Sequence, residues 1–134
     1  MTRPQMIDLN IKILAIDDSS TMRRIIVNSL SSLGLQQTTT ANCGADAVEL
    51  MGRIRFDLVI SDWHMEPIDG IELLQKIRAD KNSRGIPFIV LSAESDKNSI
   101  IKIRDSGASD YIIKPFNKFI LKKKLENIFG SFPS

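Results

Sequence analysis

Short apolar runs that end abruptly at polar residues recur along this chain, and they limit its fold more than any other feature. Residues 12–16 form one run and residues 58–61 form another, and an aspartate follows each of them. Runs of this length are too short for a helix and are typical of buried strands. The segments between the runs carry apolar residues at helical spacing, which predicts amphipathic helices.

This alternation predicts five strand–helix units over nearly the whole chain. The predicted strands are residues 12–16, 38–41, 58–61, 88–91 and 111–113. The predicted helices hold the apolar residues of segments 22–33, 47–54, 70–77, 100–103 and 121–129. A serine at position 19 or 20 is expected to cap the first helix, and Gly34 to end it. Strands joined by helices in this way run parallel, so the predicted class is α/β, a doubly wound (βα)5 three-layer sandwich.

The composition is that of one folded domain. The 134 residues are 43% hydrophobic and 25% charged, which argues against disorder. No apolar run approaches the roughly 20 residues of a membrane span, and the start lacks a secretory signal pattern. The single Cys43 cannot form an internal disulfide, which fits a reducing cytoplasm. We expect a short arm at residues 1–10, one domain at 11–130 and a frayed tail at 131–134.

The net charge of +2 hides an uneven distribution. Residues 101–134 carry seven Lys or Arg and three Asp or Glu, whereas residues 1–100 carry eleven and thirteen. This modest excess does not indicate a nucleic-acid partner. It does predict one positively charged face that acidic groups of another protein could find.

Polar residues follow the predicted strands at the points where the strands end. Asp17 and Asp18 follow the first strand, Asp62 the third, Ser92 the fourth and Lys114 the fifth. The carboxyl ends of parallel strands meet at one edge of a sheet, so these side chains should converge. Crowded carboxylates need a cation, and hard oxygen ligands suit Mg²⁺. A carboxylate beside Mg²⁺ can attack phosphorus, which predicts phosphoryl transfer to an aspartate.

With these residues in place, the sequence resembles the receiver domain of two-component response regulators, over about residues 12–129. The likeness is strongest to the chemotaxis members of that family. The matching stretches are residues 17–24, 61–63, 69–74, 77–80, 107–109 and 114–116. The resemblance implies a flavodoxin-like sheet of order 2-1-3-4-5. It also implies a signalling switch without an output domain, which a histidine kinase phosphorylates.

The resemblance also implies roles for individual residues. Asp62 is the implied phosphate acceptor. Mg²⁺ is the implied cofactor, held by Asp17, Asp18, Asp62 and the main-chain carbonyl of His64. The switch residues implied are Ser92, Tyr111, Lys114 and Pro115, with a cis bond between the last two and with Lys114 binding phosphate. The residues implied at the edge of the site are Trp63 and Glu94.

Two positions depart from the chemotaxis pattern. His64 stands where an asparagine is usual, which bears on the rates of phosphorylation and dephosphorylation. Pro67 stands one position later than the usual proline. Because the loop length to Gly70 is kept, we expect a changed local turn and no loss of function.

The implied partners are a chemotaxis histidine kinase, the flagellar motor switch and a phosphatase or a histidine phosphotransferase. The implied protein is a cytoplasmic monomer with no membrane partner. It catalyses its own phosphorylation and dephosphorylation without being a conventional enzyme. Three alternatives stay open: a phosphorelay shuttle or phosphate sink, a small-molecule phosphatase with an aspartate nucleophile, and an inactive receiver that only binds partners. Such phosphatases usually carry Asp-x-Asp after the first strand, whereas Asp17 and Asp18 are adjacent.

Overall fold

Five parallel strands form the central sheet of the computed structural model, which describes residues 5–133. The strands in chain order are β1 (Ile13–Ile16), β2 (Thr38–Ala41), β3 (Leu58–Asp62), β4 (Phe88–Ser92) and β5 (Asp110–Ile113). Their order across the sheet is β2-β1-β3-β4-β5, and each neighbouring pair is parallel. The α/β class and the strand order implied by the resemblance are both confirmed.

Five helices lie between and after these strands in the described residues. They are α1 (Ser20–Ser32), α2 (Gly44–Arg53), α3 (Gly70–Ala79), α4 (Lys97–Asp105) and α5 (Lys118–Phe129). Ser19 caps α1 by accepting a hydrogen bond from the Met22 N–H at 3.2 Å, and Gly34 follows that helix with a φ of 92°. No helix within residues 5–133 is long and apolar enough to cross a membrane.

Alternate residues of the strands pack into two cores, one on each face of the sheet. Leu14 and Ile16 of β1 belong to the core under α2, α3 and α4. Ile13 and Ala15 of the same strand belong to the core under α1 and α5. All four side chains are fully buried, as expected for a parallel sheet covered on both faces. Polar side chains can therefore gather at the carboxyl ends of the strands.

The described ends of the chain pack against each other. The N–H of Ile7 donates to the carbonyl of Ser131 at 2.9 Å, and the N–H of Ser131 donates to the carbonyl of Gln5 at 2.9 Å. Ile7 and Ile11 are also buried in the core beneath α1 and α5. Ser131, which was expected in a frayed tail, is held by these main-chain hydrogen bonds. Residues 1–4 of the expected arm and residue 134 of the tail lie outside the described residues.

Arg78 of α3 joins two loops at the amino-terminal edge of the sheet. Its Nη1 donates to the carbonyls of Arg84 at 3.0 Å and Ile86 at 2.6 Å. Its Nε donates to the carbonyl of Gly107, beyond α4, at 3.1 Å. Partial burial lowers the pKa of Arg78, but a guanidinium remains charged in proteins. The side chain of Arg78 thus holds the loop before β4 and the loop after α4.

We predict that Arg78→Ala lowers the free energy of unfolding by about 2–3 kcal/mol, because hydrogen bonds to a charged group are among the stronger ones. Arg78→Lys should recover only part of this stability, since an ammonium lacks the planar fork that reaches three carbonyls. Urea unfolding measures both. Arg24→Ala, at an exposed position of α1, is the control. An unchanged urea midpoint for Arg78→Ala would show that the loops are held by other contacts.

Candidate functional site

The carboxyl ends of the strands bring together four residues predicted from the sequence. Asp17 follows β1, Asp62 is the last residue of β3 and Lys114 follows β5. Asp18 lies beside Asp17, and one carboxylate oxygen each from Asp17, Asp18 and Asp62 lies within 4.8 Å of the others. The sheet order places β1, β3, β4 and β5 in succession with their carboxyl ends at one edge, which is why residues far apart in sequence meet here.

Lys114 bridges two of the three carboxylates. Its Nζ donates to Asp62 Oδ1 at 2.8 Å and to Asp17 Oδ2 at 3.2 Å. Burial by itself would lower the pKa of Lys114, but the hydrogen bonds and charges of Asp62 and Asp17 outweigh it and raise that pKa. The lysine is therefore held as an ammonium beside Asp62, where it can meet further negative charge.

Asp17 is a buried acid with only 1% of its surface exposed. Burial raises its pKa above the ordinary aspartate value, and the charge of Asp62 adds to the rise. Two contacts lower the pKa of Asp17 without cancelling the rise. One is a hydrogen bond of 3.0 Å that Asp17 accepts from the N–H of Ser19, and the other is the contact with the ammonium of Lys114. The ionised carboxylate of Asp17 therefore lowers the stability of the folded protein.

We predict that Asp17→Asn stabilises the metal-free protein at neutral pH by about 1 kcal/mol. Because the folded-state pKa is raised, stability falls as pH rises from the ordinary aspartate pKa through the raised one, and the loss is complete above it. The gain in the variant should therefore disappear at acid pH. Urea unfolding in EDTA from pH 3 to pH 8 measures it. A wild-type protein more stable than the variant at pH 7 would mean that the Lys114 contact outweighs burial.

The donor set fits a divalent metal ion. Asp17, Asp18 and Asp62 offer hard carboxylate oxygens close together, and Lys114 forms ion pairs with Asp17 and Asp62. Asp18 is exposed and Asp17 is buried, so the cluster reaches from the core to the solvent. Mg²⁺ prefers oxygen ligands and keeps several waters, which suits a partly open cluster of this kind. The residues present are therefore compatible with the Mg²⁺ site expected from the sequence.

Gly70 supports Asp62 from the start of α3, a role that the sequence analysis missed. Its N–H donates to the carbonyl of Trp63 at 2.7 Å. A Cβ at Gly70 would lie 2.2 Å from the carbonyl oxygen of Asp62 and 3.1 Å from the Cα of Trp63. The capping box of Asp69 and Glu72 holds the helix start against this loop. The Asp-Gly pair signals a helix start in the sequence, but it gives no sign of this close approach.

Ser92 ends β4 with a fully buried hydroxyl. Its Oγ donates to the carbonyl of Glu94 at 3.0 Å and accepts from the N–H of Glu94 at 3.0 Å. In the described part of the chain its hydrogen bonds are therefore with the following loop and not with Asp62. The structure places Ser92 on the expected edge, with its hydroxyl engaged by the loop that Glu94 belongs to.

Contacts between side chains run along one edge of the site, through Trp63, His64 and Glu94. Trp63 is 5% exposed, and its ring stacks on His64 with centroids 4.8 Å apart and an interplanar angle of 13°. His64 Nε2 lies 3.2 Å from Glu94 Oε1, and Glu94 Oε2 accepts from Ser99 Oγ of α4 at 2.8 Å. The side chain of His64 thus links the loop after β3 to the first turn of α4.

Tyr111 lies in β5 and is partly buried against the core beneath α3 and α4. The ammonium of Lys124 in α5 lies 4.7 Å from its ring centroid and donates to Asp110 Oδ1 at 2.8 Å. The sequence analysis named Tyr111 but missed the link from it to α5.

Lys114–Pro115 is a cis bond, as the resemblance implies, and Glu66–Pro67 is cis as well, within the loop where a changed turn is expected.

Comparison with known proteins adds to this geometry. A sequence model of the response regulator receiver domain matches residues 13–126, most of the chain. The chain belongs to this family. The chain is 42% identical to chemotaxis protein CheY-3 of Vibrio cholerae over 120 residues, which are 90% of this chain and 92% of that protein. It is 41% identical to chemotaxis protein CheY of Pseudomonas aeruginosa over 118 residues, 88% and 95% of the two chains.

Solved structures agree with the sequence comparison. The chemotaxis response regulator CheY4 of Vibrio cholerae superposes with a TM-score of 0.83 at 29% identity, covering 90% of this receiver domain and 99% of that chain. The receiver domain of a sensor histidine kinase of Pseudomonas aeruginosa superposes with a TM-score of 0.81 at 30% identity, covering 91% and 99%. That structure is described as holding a magnesium ion coordinated in its active-site cleft. The fold of the chain is therefore the fold of these receiver domains.

Proposed function

We propose that this receiver is a phosphorylation-activated switch in which Asp62 accepts a phosphoryl group from the phosphohistidine of a kinase. The contact between Lys114 Nζ and Asp62 Oδ1 at 2.8 Å is the main support for this proposal. The contact orients one carboxylate oxygen and leaves a fixed positive charge beside the position that phosphoryl oxygens would occupy. Fixed charges aimed at developing charge are the usual source of catalysis in phosphoryl transfer.

In the proposed step, a carboxylate oxygen of Asp62 attacks phosphorus while the bond from phosphorus to the donor nitrogen breaks. Lys114 keeps its proton and exchanges part of its contact with Asp62 for the transferred phosphoryl group. The groups that would hold Mg²⁺ are Asp17, Asp18, Asp62 and the main-chain carbonyl of His64. When bound, the ion supplies neutralisation of charge on the phosphoryl oxygens. The magnesium-containing relative supports this assignment.

We infer that the switch then follows from the hydroxyl of Ser92. In the described structure this hydroxyl is engaged by Glu94, and in the phosphorylated state it would instead donate to a phosphoryl oxygen. The movement would open space next to β4 for Tyr111. Phosphorylation acts by favouring an active arrangement that the chain already samples. The surface of α4, β5 and α5 is the one that would change.

We propose that the phosphorylated receiver binds the flagellar motor switch through the surface of α4, β5 and α5, whose α5 part is rich in lysine. Phe119 of α5 is 70% exposed, and Lys118 and Lys123 beside it are also exposed. An apolar side chain among cations suits an amphipathic, acidic segment of a partner. The names of the relatives, which are chemotaxis proteins, support the same target. The proposal places the chain in the cytoplasm as a monomer, with a chemotaxis histidine kinase as donor and a phosphatase as a further partner.

A phosphorelay shuttle or phosphate sink is the second candidate. Two solved structures that superpose on this chain at 30% identity are receiver domains of histidine kinases, one from Syntrophus aciditrophicus and one from Pseudomonas aeruginosa. In this role Asp62 would return its phosphoryl group to a histidine phosphotransferase. The chemistry at Asp62 is the same in both roles, so the partner distinguishes them.

We predict that beryllofluoride and Mg²⁺, which together mimic the phosphorylated state, strengthen binding of a motor-switch peptide about tenfold or more, as population-shift coupling allows. Isothermal titration calorimetry measures the affinity with and without the mimic. The matched control is the same titration with EDTA present. Equal affinity in both states, combined with rapid phosphate transfer to a histidine phosphotransferase, would favour the shuttle.

A further inference from the structure

We propose that a groove at the amino-terminal edge of the sheet, opposite Asp62, binds an acidic amphipathic helix of a partner protein. The groove, here called the basal groove, lies between the carboxyl ends of α2 and α3 and has a volume of about 990 Å³. Phe56 precedes β3 and Ile86 precedes β4, whereas Asp62 and Ser92 end these strands. The basal groove is therefore separated from the phosphorylation site by the length of the sheet, and the inference does not depend on the proposed switch.

The floor of the basal groove is apolar. Phe56 and Ile77 are 2% and 4% exposed and belong to the core. Met51, Ile54 and Ile86 are partly buried against the same core and remain partly open to solvent. Contact with an apolar partner surface would bury these side chains further, which favours association.

The rim of the basal groove is positively charged. It carries four exposed cations, Arg53, Arg55, Lys76 and Lys81, and one acid, Asp80. Arg53 pairs with Glu49. Within residues 5–133, the ion pairs include none of the other three cations. Their charge is therefore open to a carboxylate of a partner.

A local structural role explains only part of this charge. Arg53 and Lys76 lie in the last turns of α2 and α3, where cations stabilise the negative end of a helix. Arg55 and Lys81 lie beyond the last residues of these helices, where the effect of the helix dipole is already falling off. Both line the basal groove, one before β3 and one after α3.

An acidic amphipathic helix matches this combination of floor and rim. Its apolar residues, spaced three and four apart, would lie on the floor, and its flanking carboxylates would meet Arg55, Lys76 and Lys81. The lysine-rich surface of α5 lies on the other face of the sheet, beside the second core. The two surfaces can therefore bind separate partners, and binding in the basal groove should not require phosphorylation.

The test uses a synthetic twelve-residue helical peptide with leucines at helical spacing and glutamates on its flanks. A matched peptide with lysine in place of each glutamate is the control. Amide NMR spectra of the full chain should shift at residues 51–56 and 76–86 on adding the acidic peptide, equally with and without beryllofluoride. Shifts confined to α4, β5 and α5, or equal binding of the lysine peptide, would overturn the proposal.

Two kinds of variant make the test specific. A Cβ at Gly52 would have no atom within 4 Å, so Gly52→Trp should fill the basal groove without disturbing the core and should abolish binding. The double variant Arg55→Glu, Lys81→Glu should weaken binding about tenfold or more by placing like charges together. Arg24→Glu, at an exposed position of α1, should bind like the wild type. Thermal unfolding checks that each variant is folded. Wild-type affinity in both groove variants would overturn the proposal.

Discussion

Asp62→Asn is expected to reduce phosphorylation of the chain by a histidine kinase or by acetyl phosphate to background. The amide of asparagine keeps the shape of the carboxylate but lacks a nucleophilic oxygen that can form an acyl phosphate. Lys114 would also lose its contact at 2.8 Å with a charged partner. The measurement is the amount of hydroxylamine-sensitive phosphate on the protein after incubation with labelled donor and Mg²⁺.

Asp69→Asn is the matched control for this experiment. Asp69 is the N-cap of α3, and asparagine is a comparable N-cap, so the fold should be preserved. Its phosphorylation should therefore remain close to the wild-type level. If Asp62→Asn still gains hydroxylamine-sensitive phosphate at the wild-type rate, the acceptor is another residue and the proposed mechanism is wrong.

Gly70→Ala is expected to lower the free energy of unfolding by about 2–3 kcal/mol, in the range of overpacked sites. The new Cβ would lie 2.2 Å from the carbonyl oxygen of Asp62, which is backbone and cannot rotate away. The loop after β3 must shift, so phosphorylation should slow as well. Urea unfolding measures the stability, and phosphorylation by acetyl phosphate measures the effect on the site.

Gly52→Ala provides the comparison, because a Cβ there meets no atom within 4 Å. Alanine favours a helix over glycine, so this variant should gain about 0.5–1 kcal/mol. Opposite changes in the two variants would show that the close approach to Asp62, and not the loss of a glycine, causes the damage. A wild-type urea midpoint for Gly70→Ala would contradict the packing described for this loop.

The parts of the fold that the sequence predicted correctly depend on short-range patterns. Apolar runs that stop at Asp17 and Asp62 identify β1 and β3, since burial on both faces favours apolar residues at nearly every position, with Ser61 the exception. Once the strands are parallel, their carboxyl ends must share an edge. The convergence of Asp17, Asp62 and Lys114 follows from these two steps, and the family resemblance added the strand order.

The features that the sequence analysis missed depend on contacts between residues distant in the chain. Arg78 reaches the carbonyl of Gly107, and Ser131 pairs with Gln5, although neither pair has a local pattern. The partner of the Ser92 hydroxyl depends on its rotamer, which composition and spacing do not encode. Such details arise only when the packed elements set the positions of backbone and side chains together.

The pairing of Gln5 and Ile7 with Ser131 bears on how the chain can be engineered. Because these positions are hydrogen-bonded neighbours at 2.9 Å, a short linker could join them without stretching the backbone. The exposed turn around residues 81–85 offers a place for new chain ends. A circularly permuted chain of this design should keep its sheet and its acidic cluster. The same fold would then form from strand–helix units that are synthesised in a different order.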